Sequence, residues 1–378
     1  MWLLEASIEG FRNLIPSRLV LSPTVNVFHG GNGQGKSNLL EALNYPALGR
    51  SYRGARDDDM VAAGAAQAHV AVSCRTDNGD HILFECGMEK GGPGRLRIDG
   101  EPVRRRADLV GRMATVVFEP QSVQLAAGAP ELRRSFADQS LSVLDQAYFR
   151  RLMNCHRALR QKAALLRDAR RAGASPSRVR AEAEIWNREI AREAAALCES
   201  RATWARELDP RAAAIYAEMD PGSACLKFVY LPSLEACRRG LAGEDLAQEI
   251  LSELDYIGPH EVRRGRPLAG PHLDDFQLLL GGIGLRGYGS RGEARSAALA
   301  LKLAHGELIF AQRRVRPILI FDDVFSELDK ARVRRLQQEC AARHQLLIAT
   351  ARPDDVAGWK PDGLRTWRVE GGRLEELP

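Results

Sequence analysis

Three observations predict an α/β fold interrupted by a helical insertion. A short apolar run, Val25 to Phe28, leads into a glycine-rich loop, Gly30 to Ser37, and then into helical sequence at Asn38 to Leu43. A second apolar run, Ile318 to Phe321, ends in Asp322 and Asp323, as a strand of a parallel sheet delivers acids to its carboxyl edge. Between them, from about Glu131 to Glu218, the pattern is long and helical, rich in Ala, Arg and Glu.

Each element follows from local chemistry. Leu3 to Ile8, Val25 to Phe28, His69 to Ser73, His81 to Glu85, Arg95 to Ile98 and Thr115 to Phe118 read as strands, separated by turns such as Gly91 to Gly94. Leu144 to Arg170 and Arg178 to Leu208 carry helical spacing, with a breaker at Gly173 to Pro176, so two helices forming an antiparallel arm are the simplest reading. From about Lys227 strands return, followed by a helix over Glu293 to Gln312 and the strand Ile318 to Phe321. The resulting division is a head formed by residues 1–130 and 251–378, with residues 131–250 as a helical arm or second lobe.

The glycine-rich loop is the sharpest motif. Gly30, Gly31, Asn32, Gly33, Gln34, Gly35, Lys36 and Ser37 fit G-x-x-x-x-G-K-[ST] at every fixed position, in strand–loop–helix context. Its glycines let consecutive N–H groups turn towards phosphate oxygens, and the following helix adds the positive end of its dipole. Lys36 is expected to reach the β and γ phosphates of a nucleoside triphosphate, and Ser37 to ligate Mg²⁺. Asp322 is then the Mg²⁺ partner through water, and Asp323 the group that polarises the attacking water. Asp322 comes 286 positions after Lys36, so a large insertion splits the head. Ahead of the second half, Ser290 and Gly292 open the Ala/Leu/Lys helix and can form an anion site or an ordinary N-cap.

Composition narrows the classes. The chain has 378 residues and a formal charge of +5, and only seven of its 54 basic residues are lysines. Arginine forks onto phosphate oxygens, which keeps a polyanionic partner open. Residues 150–180 hold ten Arg and Lys against one acid, Asp168. Arg150, Arg151, Arg157, Arg160, Lys162, Arg167, Arg170 and Arg171 either form a solvated helix face or track a nucleic-acid backbone. The seven cysteines include no C-x-x-C pair and read as reduced structural thiols. No stretch approaches 18 apolar residues and no leader is evident, so a soluble cytoplasmic protein without a membrane partner is expected. His272, Asp274 and Asp275 alternate like metal ligands, but a turn at Gly270 and Pro271 with acids that cap or pair with arginines is the plainer reading.

Taken in order, these pieces resemble an ATP-binding-cassette head of the chromosome-maintenance type, and within it the bacterial RecF family. The matching segments are Ile8 to Asn13, Gly30 to Ala42, Gly49 to Arg53, Phe118 to Pro120, Gly128 to Pro130 with Arg133 to Asp138, Gly270 to Asp275, the segment around Ser290, and Phe321 to Asp329. The resemblance implies a P-loop NTPase head of ABC type and a weak, DNA-stimulated ATPase whose ATP-bound form dimerises head to head. It further implies clamping of double-stranded DNA near junctions with single strands, release on hydrolysis, and partners of the RecR and RecO kinds. Ser290 and Gly292 would touch the γ-phosphate held by the partner's loop, and Ser326 and Asp329 would lie at the protomer interface. Gln121 sits where a Mg²⁺- and water-binding glutamine is expected, and Arg150, Arg157, Arg160 and Arg167 are the DNA-binding candidates.

Several departures shape the expectation. Glutamines usually flank the signature glycine in the family, whereas Glu293 here adds a negative charge beside Arg291 and Arg295. Asp323 is one methylene shorter than the glutamate common in cassette ATPases, so turnover is expected to be slow. Where a switch histidine is usual, Thr350 stands; its hydroxyl could sense a phosphate but cannot act as an acid at neutral pH. The altered signature also leaves an assembly protein, ATP-switched but without DNA clamping, as the alternative. A transporter subunit would lack the 286-residue separation, and a long-armed chromosome organiser would need hundreds of coiled-coil residues.

Overall fold

The computed structural model describes residues 1–325, 333, 337, 339–352, 356 and 359–377, with the side chains of 106, 107 and 176 left aside. Two compact units emerge, one of residues 1–122 and 302–378, the other of residues 123–301. The expected return to the head at 251 therefore comes at 302, inside the helix Arg291–Arg313. The cause is packing. The helix Gly243–Arg264 lies against the long helix Pro176–Met219, and Asp275–Leu280 pairs with Leu226–Leu231, which keeps these segments in the second unit.

Among the described residues the first unit contains two sheets. One has the order Arg373–Leu377, Arg365–Glu370, Val25–His29, Leu346–Thr350, Ile318–Asp322, Thr115–Phe118, parallel throughout except for the terminal hairpin. Its central strands are buried almost end to end, which is why they read as continuous apolar runs rather than alternating ones. The other sheet is antiparallel and begins Ser17–Val20, Trp2–Glu9, Gln67–Arg75, His81–Glu89. Gln67–Arg75 alternates inward and outward as a half-solvated strand should. The helix Lys36–Leu48 is buried along almost its whole length, and its Leu39, Leu40 and Leu43 join Phe11, Val70, Phe84, Ile320 and Leu347 in one core. It ends where Gly49 adopts φ 58° and donates its N–H to the Tyr45 carbonyl at 2.8 Å.

In the second unit, Gln146–Ala172 buries Tyr148, Leu152, Cys155, Leu159, Leu166 and Ala169, one helical stripe. The stripe faces Pro176–Met219 and Gly243–Arg264, so the expected two-helix arm is a three-helix packing. Gly243–Arg264 escapes a sequence reading because Gly258 and Pro259 interrupt it, although Leu246, Ile250 and Leu254 keep its period. Trp204 fixes the long helix to the small antiparallel sheet, meeting Phe228 at 5.5 Å and Phe276 at 5.6 Å, both edge-on.

The acids after Gly270 are locked to arginines. Arg201, 1% exposed, donates to Asp274 Oδ2 at 2.6 Å and Asp138 Oδ1 at 2.7 Å, while Tyr230 Oη also reaches Asp274 Oδ2 at 2.6 Å. Arg133 grips Asp275 with two hydrogen bonds, at 2.8 and 3.0 Å. Buried charge is tolerated here because every partner is supplied.

Candidate nucleotide-binding site

The strand Val25–His29 delivers the glycine-rich loop to the carboxyl edge of the parallel sheet, where Asp322 arrives two strands away. Gly33 and Gly35 adopt φ 77° and 112°, which a side chain would resist. A Cβ on Gly30 would fall 2.1 Å from the Val369 carbonyl oxygen, so only glycine fits against that strand. The hairpin turn at Gly371 and Gly372 staples the loop from outside: Gly371 N donates to Gln34 Oε1 at 2.6 Å, and Gly372 N to Gln34 O at 2.9 Å. The N–H groups of Gly31, Asn32, Gly33 and Gly35 meet no acceptor among the described residues. They are donors open to an anion, beside a cleft of about 410 Å³ lined by His29, Gly30, Gln34, Ala351, Arg368 and Glu370.

Lys36 curls back over the loop, its Nζ donating to Gly30 O and Gly31 O at 2.8 Å each. Burial lowers its pKa, and the charges of Asp323 and Asp322 oppose that shift. Ser37 Oγ donates to Asp322 Oδ1 at 2.6 Å, joining the two motifs across 285 positions of sequence. The other carboxylate oxygen, Oδ2, accepts from Tyr52 Oη at 2.9 Å. Burial raises the Asp322 carboxyl above its ordinary range, against hydrogen bonds from Ser37 and Tyr52 and the charge of Arg53.

Asp323 has φ 56°, an uncommon conformation for a residue with a side chain and one that clusters at functional sites. Its N–H donates to Ala349 O at 2.9 Å, and its Oδ1 lies 3.4 Å from the Ala351 N–H. Thr350 turns inward: its hydroxyl donates to Arg352 O and accepts from Arg352 N, both at 3.1 Å, while its residue pairs in register with His29. Burial, Arg368 and Lys36 together push the His29 imidazole below its usual pKa.

Gln121 stands exposed on the turn Pro120–Val123. The charge of Asp323 acts on Asp322, and that of Asp322 reaches Glu119 in turn: burial raises the Glu119 carboxyl and Asp322 adds to the rise, while Lys302 and Arg53 oppose it. Lys302 supports this turn from within, donating to Val117 O and Ser122 Oγ at 2.6 Å each, and burial lowers its pKa to about 8.

Sequence reasoning assigned no role to Tyr52, Arg53 or Glu119. The segments Gly49 to Arg53 and Phe118 to Pro120 drew notice only as family matches, because a hydrogen bond between residues 52 and 322 leaves no local pattern.

Ser290 and Gly292 lie in the second unit. There Ser290 N donates to Glu293 Oε2 at 2.7 Å and Glu293 N donates to Ser290 Oγ at 3.2 Å, a reciprocal capping box. Hydrogen bonds from the Ser290 N–H and the Ser290 side chain hold the Glu293 carboxyl below its ordinary pKa, so it stays ionised at the helix start. Ser326 and Asp329 lie outside the described residues.

The basic run is not one uniform face. Lys162 is buried against Glu261 at 2.7 Å, which removes it from the surface set: helical spacing points it into the three-helix packing. Arg151 and Arg157 pair with Glu193 and Glu189 at 3.5 and 3.1 Å. Arg150, Arg160 and Arg167 are exposed and form no ion pair among the described residues.

Comparison with known proteins agrees with this architecture. A family model described as the RecF/RecN/SMC N-terminal domain matches residues 3–360. The DNA replication and repair protein RecF of Acidothermus cellulolyticus is 37% identical, over 93% of this chain and 94% of its own length. That of Frankia alni is 36% identical, over 94% and 95%. A solved structure of the recombination mediator protein RecF with ATP, in the RecFOR pathway, is 26% identical and covers 100% of this chain and 98% of its own, with a TM-score of 0.90. An Smc head domain from Pyrococcus furiosus shares the fold at 17% identity and a TM-score of 0.57.

Proposed function

This chain belongs to the RecF family of DNA replication and repair proteins, and we propose that it is an ATP-dependent DNA-binding protein of recombinational repair and replication-fork maintenance. ATP binding drives head-to-head dimerisation and clamping of double-stranded DNA near single-strand gaps. Slow, DNA-stimulated hydrolysis then releases it. The observation that carries this reading is the Ser37–Asp322 hydrogen bond of 2.6 Å beneath a loop whose N–H groups are open to an anion.

Gly30 to Ser37 hold the triphosphate, with Lys36 moving from its own carbonyl partners to the β and γ phosphates. The oxygen donors of Ser37 and Asp322 suit Mg²⁺, which when bound neutralises charge developing on the phosphates. Gln121 is a further candidate at this edge, and Glu119, being an acid, suits the ion better. Asp323 orients the attacking water, its carboxylate presented by the left-handed backbone. Ser290 and Gly292 complete the site from the partner protomer. Arg150, Arg160 and Arg167 contact the duplex backbone, Arg157 less so because Glu189 engages it. The RecFOR context of the solved relative supports RecR and RecO as partners; acting on DNA in repair and replication, the chain works in the cytoplasm, and no described helix is long and apolar enough to cross a membrane.

A second reading, an ATP-switched assembly protein without DNA clamping, draws on the capping box that occupies Ser290 and on the acids that pair with Arg151 and Arg157. Mixing decides the trans arrangement. Lys36→Arg and Ser290→Arg variants are each expected to remain monomeric with ATP, but together to form heterodimers holding one intact composite site. Dimers of Ser290→Arg alone would count against it.

A further inference from the structure

We propose that Tyr52 is a positioning residue for the divalent-cation site, holding Asp322 so that the oxygen shared with Ser37 is presented to the ion. The inference rests on the reading that this loop binds ATP with a metal. A carboxylate gripped by one donor can rotate about its Cβ–Cγ bond; one donor on each oxygen fixes its plane. Here Ser37 Oγ holds Oδ1 at 2.6 Å and Tyr52 Oη holds Oδ2 at 2.9 Å. Ser37 keeps oxygen lone pairs free while its O–H is donated to Asp322, so the serine–aspartate pair can present oxygen to a cation.

Tyr52 is itself held by its neighbours. The helix Lys36–Leu48 ends at Gly49, and the chain then returns across it. Ser51 Oγ donates to Glu41 Oε1, and the same oxygen accepts the Arg53 N–H at 3.0 Å. Arg53 Nη1 donates to Asn38 Oδ1 at 3.0 Å and lies 3.6 Å from Glu41. Glu41, with no exposed surface, also takes two hydrogen bonds from Arg12, at 2.6 and 3.1 Å. Residues 51 and 53 thus anchor to the helix that follows the phosphate loop, and residue 52 between them spans to the acid strand. This strap ties loop and acid into one geometry, as outer hydrogen bonds orient metal ligands elsewhere.

The test is a Mg²⁺ titration of fluorescent-ATP binding by Tyr52→Phe, wild type and Asp322→Asn, each repeated in EDTA, with the melting temperature of the nucleotide-free proteins alongside. The expected result is about a tenfold rise in the Mg²⁺ concentration for half-maximal tightening in Tyr52→Phe, with EDTA affinity and melting temperature unchanged. Asp322→Asn sets the limit of full loss. A Tyr52→Phe titration that overlays wild type overturns the inference while leaving the nucleotide reading intact. An equal loss with Mg²⁺ and in EDTA also overturns it, since that marks general damage to the loop. A wild type that binds ATP with no Mg²⁺ dependence removes the reading beneath it as well.

Discussion

Asp323 combines two properties that separate under mutation: a carboxylate beside Ala351 N and a backbone at φ 56°. Asparagine tolerates that conformation and keeps the shape while removing the charge. Asp323→Asn is therefore expected to bind ATP normally and melt within a few degrees of wild type, while turnover falls about 100-fold or more. Steady-state phosphate release, run beside nucleotide binding, checks this. At the residue scale the loop and Asp322 were legible because their chemistry is written in consecutive positions. Tyr52 and Glu119 were not, since their relation to Asp322 exists only once strands distant in sequence lie side by side. Lys162 was misread as surface charge for the same reason: its partner, Glu261, belongs to a helix that the sequence pattern concealed.

Elements were clearest where burial was uniform. The strands Val25–His29 and Ile318–Asp322 are wholly or almost wholly buried, and their apolar runs marked them from the start. The helix Gln146–Ala172 also announced itself, but its two roles did not: one stripe packs inward, and the outer arginines divide into paired and free. That division makes a sharp expectation. Replacing Arg150, Arg160 and Arg167 together with glutamine should weaken duplex binding and flatten its dependence on log salt by up to about 0.9 per lost phosphate contact. Arg157→Gln should change the slope far less, because its charge already meets Glu189 at 3.1 Å. Fluorescence anisotropy with a labelled duplex across a salt series distinguishes them.

For the molecule as a whole, the split head was legible from the long interval between Lys36 and Asp322, but the boundary at 301/302 was not. A boundary inside one continuous helix has no turn, proline or change of composition to mark it. The same helix carries His305, whose imidazole burial and the Lys302 charge push down to about 3. In the unfolded chain it titrates near its usual 6.5, so between pH 6.5 and 3 the unfolded state binds a proton that the folded state refuses. Stability from this residue is complete above pH 6.5 and is lost as pH falls, by about 2 kcal/mol at pH 5. Denaturant unfolding at pH 7.5 and pH 5 should show a smaller pH loss in His305→Gln than in wild type.

The most direct test of the account is duplex-DNA retention by the purified chain with ATP and Mg²⁺, with ADP and Mg²⁺, and without nucleotide, beside the molar mass from light scattering. The account predicts a dimer that holds duplex DNA only with ATP, and loss of both properties in Lys36→Arg. ATP binding that leaves mass and DNA affinity equal in all three states would contradict it.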